Sequence, residues 1–108
     1  MVCSPNKKIR RFPDPVAHIL QNFDAWLVGS AVDNEYPKDY DILVPFHMWH
    51  RAVVIIPQDA KPNSFKGWKV EIAGITIDMW PGDLGYLAAL PFFTAAYHHA
   101  SQTIIRKE

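Results

Sequence analysis

One stretch, residues 26–44, constrains this chain more than any other, and it reads WLVGSAVDNEYPKDYDILV. A short apolar run ends at Gly29 and Ser30, and a second apolar run begins around Asp39 and Asp41. We interpret the stretch as a strand, a tight turn with a short helix, and a second strand that opens with two carboxylates. Because strand side chains alternate between faces, the two carboxylates should share one face, while the residues between and after them point into a core.

Carboxylates placed side by side on one face repel each other unless a cation or a proton lies between them. The pair Asp39 and Asp41 is therefore a candidate metal site. A third carboxylate, Asp78, lies in a second alternating segment, ITIDMW, where it shares a face with Thr76 and Trp80. If that strand lies beside the Asp41 strand, Asp78 joins the pair. Clustered oxygen ligands suit Mg²⁺, and two such ions can hold the attacking and leaving oxygens of a nucleotidyl transfer.

These residues resemble the DNA polymerase β-like nucleotidyltransferase superfamily. The signature of that family is an apolar residue, Gly, then Gly or Ser, a spacer, and Asp-apolar-Asp-apolar, with a third acidic residue on a later strand. The resemblance covers roughly residues 26–84. The matching positions are Val28-Gly29-Ser30, Asp39-Tyr40-Asp41-Ile42, and Asp78 within Ile77-Asp78-Met79.

The resemblance implies a metal-dependent nucleotidyltransferase that moves a nucleoside monophosphate from a nucleoside triphosphate to a hydroxyl acceptor and releases pyrophosphate. The implied acceptor is an RNA or tRNA 3′ end or a protein. Asp39 and Asp41 would bind Mg²⁺ or Mn²⁺ and the nucleotide phosphates. Asp78 would complete the metal site and help to deprotonate the acceptor hydroxyl. Gly29 and Ser30 would hold the β- and γ-phosphates.

Larger members of that family carry a helical domain that grips the base or the acceptor. The chain has too few residues after its last predicted strand for a separate domain of ordinary size. The resemblance therefore implies that a second copy of the chain, a small helical partner protein or the terminal segments complete the site. Small family members pair with helical partners in toxin–antitoxin or phage settings.

Two alternatives stay open at this point. In the first, the chain keeps the fold but is a catalytically silent binding or regulatory module, in a phage or toxin–antitoxin setting. Three retained aspartates disfavour it, since an unused acidic cluster lowers stability through repulsion. In the second, the chain is an unrelated interaction domain in which Asp78 lies far from Asp39 and Asp41.

Composition narrows the classes of function. A chain of 108 residues allows one domain, which we predict over residues 14–108, after an irregular N-terminal arm over residues 1–13. The net charge is zero, so no overall field attracts nucleic acid. No apolar run is long enough to span a bilayer, and the N-terminus lacks a signal-peptide pattern, which predicts a cytoplasmic protein. Basic residues near the two ends either aid solubility or form a phosphate-contacting arm: Lys7, Lys8, Arg10, Arg11, Arg106 and Lys107.

The pattern as a whole predicts an α/β (α+β) fold with a small mixed sheet of about four strands and helices packed on it. A helix is predicted to begin with Asp14 as N-cap and Pro15 as its first residue, and to end near Asn22. A second helix is predicted after Pro45, running out into a short strand over residues 53–56.

A hairpin is predicted over residues 64–80, with its turn at Ala73-Gly74. Lys69 lies on the polar face of that hairpin and is a candidate contact to a triphosphate. The sequence further predicts a helix over residues 84–90. The tail fits either a helix over residues 92–100 or two paired strands over residues 94–98 and 103–106.

Overall fold

The structure is a computed structural model that describes residues 2–5, 11–83, 85 and 95–106. Within these ranges the chain forms one mixed sheet and two α-helices. The helices are Asp14–Asn22 (α1) and Phe46–Ala52 (α2), and single 3-10 turns cover Gly29–Val32 and Val53–Ile55. The strands are Val2–Pro5 (β1), Trp26–Val28 (β2), Tyr40–Val44 (β3), Lys61–Pro62 (β4), Trp68–Ile72 (β5), Ile75–Pro81 (β6), Ala95–His98 (β7) and Thr103–Arg106 (β8).

The sheet has the strand order β1-β8-β7-β2-β3-β6-β5-β4. The β3–β6 pair is parallel, and the other described neighbours are antiparallel. The prediction of a mixed α+β fold is confirmed. The prediction of about four strands is wrong, because the described sheet has eight. The strands predicted from residues 26–80 form its centre as β2, β3, β6 and β5.

The added strands come mostly from the two ends of the chain. Residues 2–5 were expected to be irregular, yet they pair with β8, with Val2 opposite Arg106. Backbone hydrogen bonds hold such a strand and need no apolar period in the sequence, which explains why the pattern missed it. In the tail, the paired-strand alternative is confirmed as β7 and β8. The helix predicted over residues 84–90 lies, apart from Gly85, outside the described residues.

The predicted helices are found with small changes. Helix α1 begins at Asp14 and ends at Asn22, but Pro13 rather than Asp14 occupies the N-cap position. The strand predicted over residues 53–56 is wrong. That segment continues as a 3-10 turn, in which Val54 is 81% exposed while Ile55 and Ile56 pack against the main core. Its β-branched side chains therefore follow the turn rather than the alternation of a strand. Among the described residues, no helix has the length and apolar content needed to cross a bilayer.

The sheet separates a large core from a small one. Helix α1 packs Val16, Ile19 and Leu20 on the first face, against residues that include Ile42 and Ile77. Each of these fully buried aliphatic side chains contributes about 1.5–3 kcal/mol through burial. On the opposite face, a smaller cluster forms from Val28, Leu43, Trp80 and Ala96. Since strand side chains alternate, Asp41 and Asp78 belong to this second face.

Candidate functional site

The Gly29-Ser30 turn lies directly beside the first carboxylate strand. Strand β2 ends at Val28, which is opposite Asp41 on β3. Gly29 then takes a φ of +77°, a left-handed conformation that glycine adopts without the steric penalty of a side chain. The carbonyl of Ser30 accepts hydrogen bonds from the backbone N–H groups of Asp33 and Asn34, which close the short helical turn. The predicted strand, tight turn and short helix are thus confirmed.

Strand pairing brings Asp41 and Asp78 together. The parallel β3–β6 register places the two aspartates opposite each other, so their side chains are neighbours on one face of the sheet. Asp39 immediately precedes β3. The strand that carries Asp78 therefore lies beside β3, which is the condition on which the predicted site of three aspartates depends. An interaction domain with Asp78 far from the other two aspartates is not what this chain forms.

Lys69 lies next in the same row, because the β5–β6 register places it opposite Asp78. Its Nζ is 3.7 Å from Asp78 Oδ2 and 3.9 Å from Asp39 Oδ2. The Lys69 side chain is 49% exposed, and those of Asp39 and Asp78 are 43% and 15% exposed. Ion pairs this exposed contribute at most about 1 kcal/mol. Their importance lies in position rather than in energy, because the Lys69 ammonium already bridges two of the three carboxylates.

The surroundings of Asp41 clearly destabilise its ionised form. Burial raises the pKa of Asp41 to about 6, with further increases from the charges of Asp78 and Asp39 and a partial offset from Lys69. Asp78 Oδ1 is also buried and finds no hydrogen-bond partner among the described residues. An unsatisfied buried oxygen lowers stability. Both features suit a ligand that brings positive charge or protons to this face.

The donor set fits a hard divalent cation by its chemistry. As the side chains lie, no three His, Cys, Asp or Glu residues in the described ranges are grouped around one metal position. Mg²⁺, however, commonly keeps several waters and uses one or two protein carboxylates together with substrate phosphates. Asp41 and Asp78 lie opposite each other, and Asp78 Oδ1 has no hydrogen-bond partner among the described residues, so this pair meets that smaller requirement. Lys69 would have to move aside, which its long and half-exposed side chain permits.

A cavity of about 350 Å³ opens beside Asp78. It is lined by Lys61, Asn63, Ser64, Phe65 and Lys69 as well as by Asp78 and Pro62. Two larger surface depressions, of about 430 and 480 Å³, contain none of the three aspartates. No motif or period in the sequence singles out Lys61. Its only signal is the strand register, because Lys61 lies opposite Lys69.

Two of the basic residues near the chain ends, Arg11 and Arg106, lie in the described part of the chain. Arg106 lies on β8 and makes two hydrogen bonds to the carboxylate of Asp33, at 2.6 and 2.7 Å. Arg11 lines the 430 Å³ depression. The remaining residues of the predicted arm lie outside the described part of the chain: Lys7, Lys8, Arg10 and Lys107.

The raised pKa of Asp41 gives a pH-dependent stability with a definite sign. At a pH below the ordinary value of 3.8, Asp41 is protonated in both the folded and unfolded protein and carries no penalty. As the pH rises through about 6, the folded protein has to ionise a half-buried carboxylate, and stability is lost. Asp41→Asn should therefore be more stable than the wild type above pH 6. The expected gain in the free energy of unfolding is about 1 kcal/mol after solvent screening, and it appears as unfolding at a higher urea concentration.

Urea unfolding of both proteins at a pH close to 3.8 and at one above 6 measures this difference. The matched control is Asp59→Asn, which neutralises an exposed aspartate outside the site. A stability difference that is equal at the two pH values, or one that favours the wild type above pH 6, would contradict the claim that ionised Asp41 destabilises the folded protein.

Comparison of the chain with protein-family models, with curated proteins and with solved structures finds no match. Function must therefore be inferred from the arrangement of the chain's own residues. That arrangement has three parts: a glycine turn, a set of facing carboxylates, and a lysine-lined cavity beside them.

Proposed function

We propose that the protein is a metal-dependent nucleotidyltransferase, which moves a nucleoside monophosphate from a nucleoside triphosphate to a hydroxyl acceptor and releases pyrophosphate. The observation that carries this proposal is the pairing of Asp41 with Asp78 beside the Gly29-Ser30 turn. Like charges opposite each other destabilise a sheet. A chain with no use for a cation at this place would gain stability from neutral residues there.

The chain's own residues have separate tasks in this reaction. Asp39 and Asp41 would hold the metal that binds the nucleotide phosphates, and Asp78, which lies opposite Asp41, would complete that site. Asp78 binds on the acceptor side and takes the proton of the attacking hydroxyl. Gly29 lets a phosphate approach the backbone closely, and the exposed hydroxyl of Ser30 donates to a phosphate oxygen. When bound, Mg²⁺ or Mn²⁺ neutralises phosphate charge and makes the acceptor hydroxyl more acidic.

The bond changes balance without another reactant. The acceptor oxygen forms a bond to the α-phosphorus, and the bond from that phosphorus to the bridging oxygen of pyrophosphate breaks. The acceptor proton leaves through Asp78 to solvent. Catalysis of this type depends mainly on position and on charge neutralisation. Lys69, which bridges Asp39 and Asp78 in the free protein, is a second source of positive charge for the phosphate groups of the substrates.

Lys69 also favours a second candidate function. Its ammonium lies between carboxylates where an enzyme of this class would place a cation. In this candidate, the lysine neutralises the cluster permanently, and the fold acts as a catalytically silent binding or regulatory module. The two functions differ in whether a divalent ion displaces Lys69.

The acceptor and the assembly belong to the same proposal. A hydroxyl acceptor, either an RNA or tRNA 3′ end or a protein, completes the reaction in the cytoplasm, where nucleoside triphosphates are supplied. A second copy of the chain or a small helical partner supplies the surface that grips the base or the acceptor.

A thermal-shift measurement tests the proposal. Mg²⁺ or Mn²⁺ together with a nucleoside triphosphate is expected to raise the Tm, because ligands that bind only the native state stabilise it. At about a hundredfold excess over Kd the gain is about 2.7 kcal/mol, or on the order of ten degrees for a domain of this size. Metal alone and triphosphate with a chelator serve as controls. No shift with any common triphosphate would contradict the enzyme and favour the silent module.

A further inference from the structure

Four charged residues form one continuous row across the sheet. Lys61 on β4 lies opposite Lys69 on β5, Lys69 lies opposite Asp78 on β6, and Asp78 lies opposite Asp41 on β3. The row therefore places two positive side chains next to two negative ones. Each like-charged pair is unfavourable by itself. A row of this kind suits a ligand that brings a cation to the aspartates and an anion to the lysines.

The wall of the lysine cavity is held in place before any ligand arrives. Asn63 Nδ2 donates to the carbonyl of Met79 at 3.3 Å, and Asn63 Oδ1 accepts from the backbone N–H groups of Phe65 and Gly67 at 3.0 and 2.9 Å. The Phe65 ring stacks on Trp80 with a centroid distance of 4.8 Å. The loop over residues 63–67 is thereby attached to β6, the strand that carries Asp78. Preorganised walls reduce the entropy lost on binding.

Of the two lysines that line this cavity, Lys61 is the one that makes no contact with the aspartates. Its side chain is exposed, and it forms no ion pair with any residue in the described ranges. Lys69, in contrast, contacts Asp39 and Asp78. An anion in the cavity would gain the full attraction of Lys61 and would also relieve the repulsion between the two ammonium groups.

The cavity and the Gly29-Ser30 turn lie on opposite sides of the aspartates. The turn follows β2, and Lys61 lies on β4, four strand spacings away in the sheet. At about 4.8 Å per spacing, this separation is about 19 Å. A triphosphate held at the glycine turn does not extend to Lys61. The second anion position therefore belongs to the other substrate, the acceptor.

We propose that the acceptor is the end of a polynucleotide, and that Lys61, Lys69 and Ser64 bind the phosphate nearest to its terminal hydroxyl. This inference rests on the proposed function. In a polynucleotide, one nucleotide separates the terminal hydroxyl from that phosphate, which matches the one or two strand spacings, about 5–10 Å, between Asp78 and the two lysines. A protein hydroxyl brings no phosphate to this place. The cavity thus selects a nucleic-acid acceptor.

Binding of a short, fluorescein-labelled single-stranded oligoribonucleotide tests the inference without turnover. Fluorescence anisotropy at several salt concentrations gives both Kd and its salt dependence. Lys61→Gln is expected to weaken binding about tenfold and to reduce the slope of log K against log salt by about 0.7. The matched control, Lys66→Gln, removes the same charge from an exposed residue of the same loop that does not line the cavity.

The outcomes separate the inference from the function on which it rests. Oligoribonucleotide binding that Lys61→Gln weakens and Lys66→Gln spares, with an unchanged triphosphate-dependent rise in Tm, supports the inference. A rise in Tm without oligoribonucleotide binding overturns it and leaves the nucleotidyltransferase standing. Equal losses in the two variants, or a Lys61→Gln effect on the triphosphate alone, also overturn it. If the triphosphate does not raise the Tm and the oligoribonucleotide does not bind, the proposed function and the inference are both overturned.

Discussion

Replacing Asp41 with Asn is expected to lower nucleotidyl transfer by about a hundred- to a thousandfold while it makes the free protein more stable above pH 6. Both effects have one cause. Asp41 is held as a half-buried carboxylate beside Asp78 and near Asp39, which raises its pKa to about 6. In the free protein this arrangement is unfavourable. In the proposed enzyme, a bound divalent ion would neutralise these charges, and the carboxylates would serve as its ligands.

The measurement uses labelled nucleoside triphosphates, Mg²⁺ or Mn²⁺, and a mixed extract of RNA and protein as acceptor. Label that becomes attached to a macromolecule reports the transfer and also identifies the acceptor. Asp78→Asn should cause a loss of similar size, and the double variant should lose little more, because residues that act as one unit are not additive. Asp59→Asn, an exposed aspartate outside the site, should retain wild-type transfer.

Two results would reverse this interpretation. Unchanged transfer in Asp41→Asn would place the chemistry elsewhere in the protein. Loss of stability above pH 6, together with loss of transfer, would show that Asp41 holds the fold together rather than a ligand. Asp41→Asn thus lowers activity whether the aspartate is structural or catalytic. It lowers the free energy of unfolding only if the aspartate is structural, and it raises that free energy if the aspartate is catalytic.

Local patterns predicted those features of the fold that depend on alternation along the chain. Asp41 between the buried Tyr40 and Ile42, and Asp78 between the buried Ile77 and Met79, alternate as strands do. That period placed both carboxylates on the face opposite the main core. The turn at Gly29 was predictable from residue type, because few residues other than glycine readily take its positive φ.

Register between distant strands has no such local signal. The pairing of β1 with β8 joins the two ends of the chain through backbone hydrogen bonds, which leave no period in the side chains. The same limit hid Lys61, whose place in the charged row follows only from its position opposite Lys69. The bridge that Lys69 makes to Asp39 and Asp78 is likewise a product of register. The carboxylates and Lys69 could therefore be predicted as site residues, whereas Lys61 and the contacts of Lys69 with the aspartates could not.

Replacing Gly67 with Ala is expected to destabilise the protein by about 3 kcal/mol, at the upper end for an overpacked site. A Cβ at this position would lie 1.9 Å from the carbonyl oxygen of Met79 and 2.6 Å from Trp80 Cα. Both are backbone atoms of β6, so neither can turn away as a flexible side chain would. The loop over residues 63–67 must then separate from the strand that carries Asp78, and the lysine cavity should open with it.

Gly74→Ala is the matched control, because Gly74 has a φ of +79° and no atom within 4 Å of an added Cβ. This variant should lose only about 1 kcal/mol, the steric penalty of a left-handed alanine. Urea unfolding of both variants measures the difference, which corresponds to about ten degrees in Tm for a domain of this size. Equal losses in the two variants would mean that the loop is not packed against β6. In that case, the preorganised wall on which acceptor binding depends would be absent, whereas the facing aspartates of β3 and β6 would be unaffected.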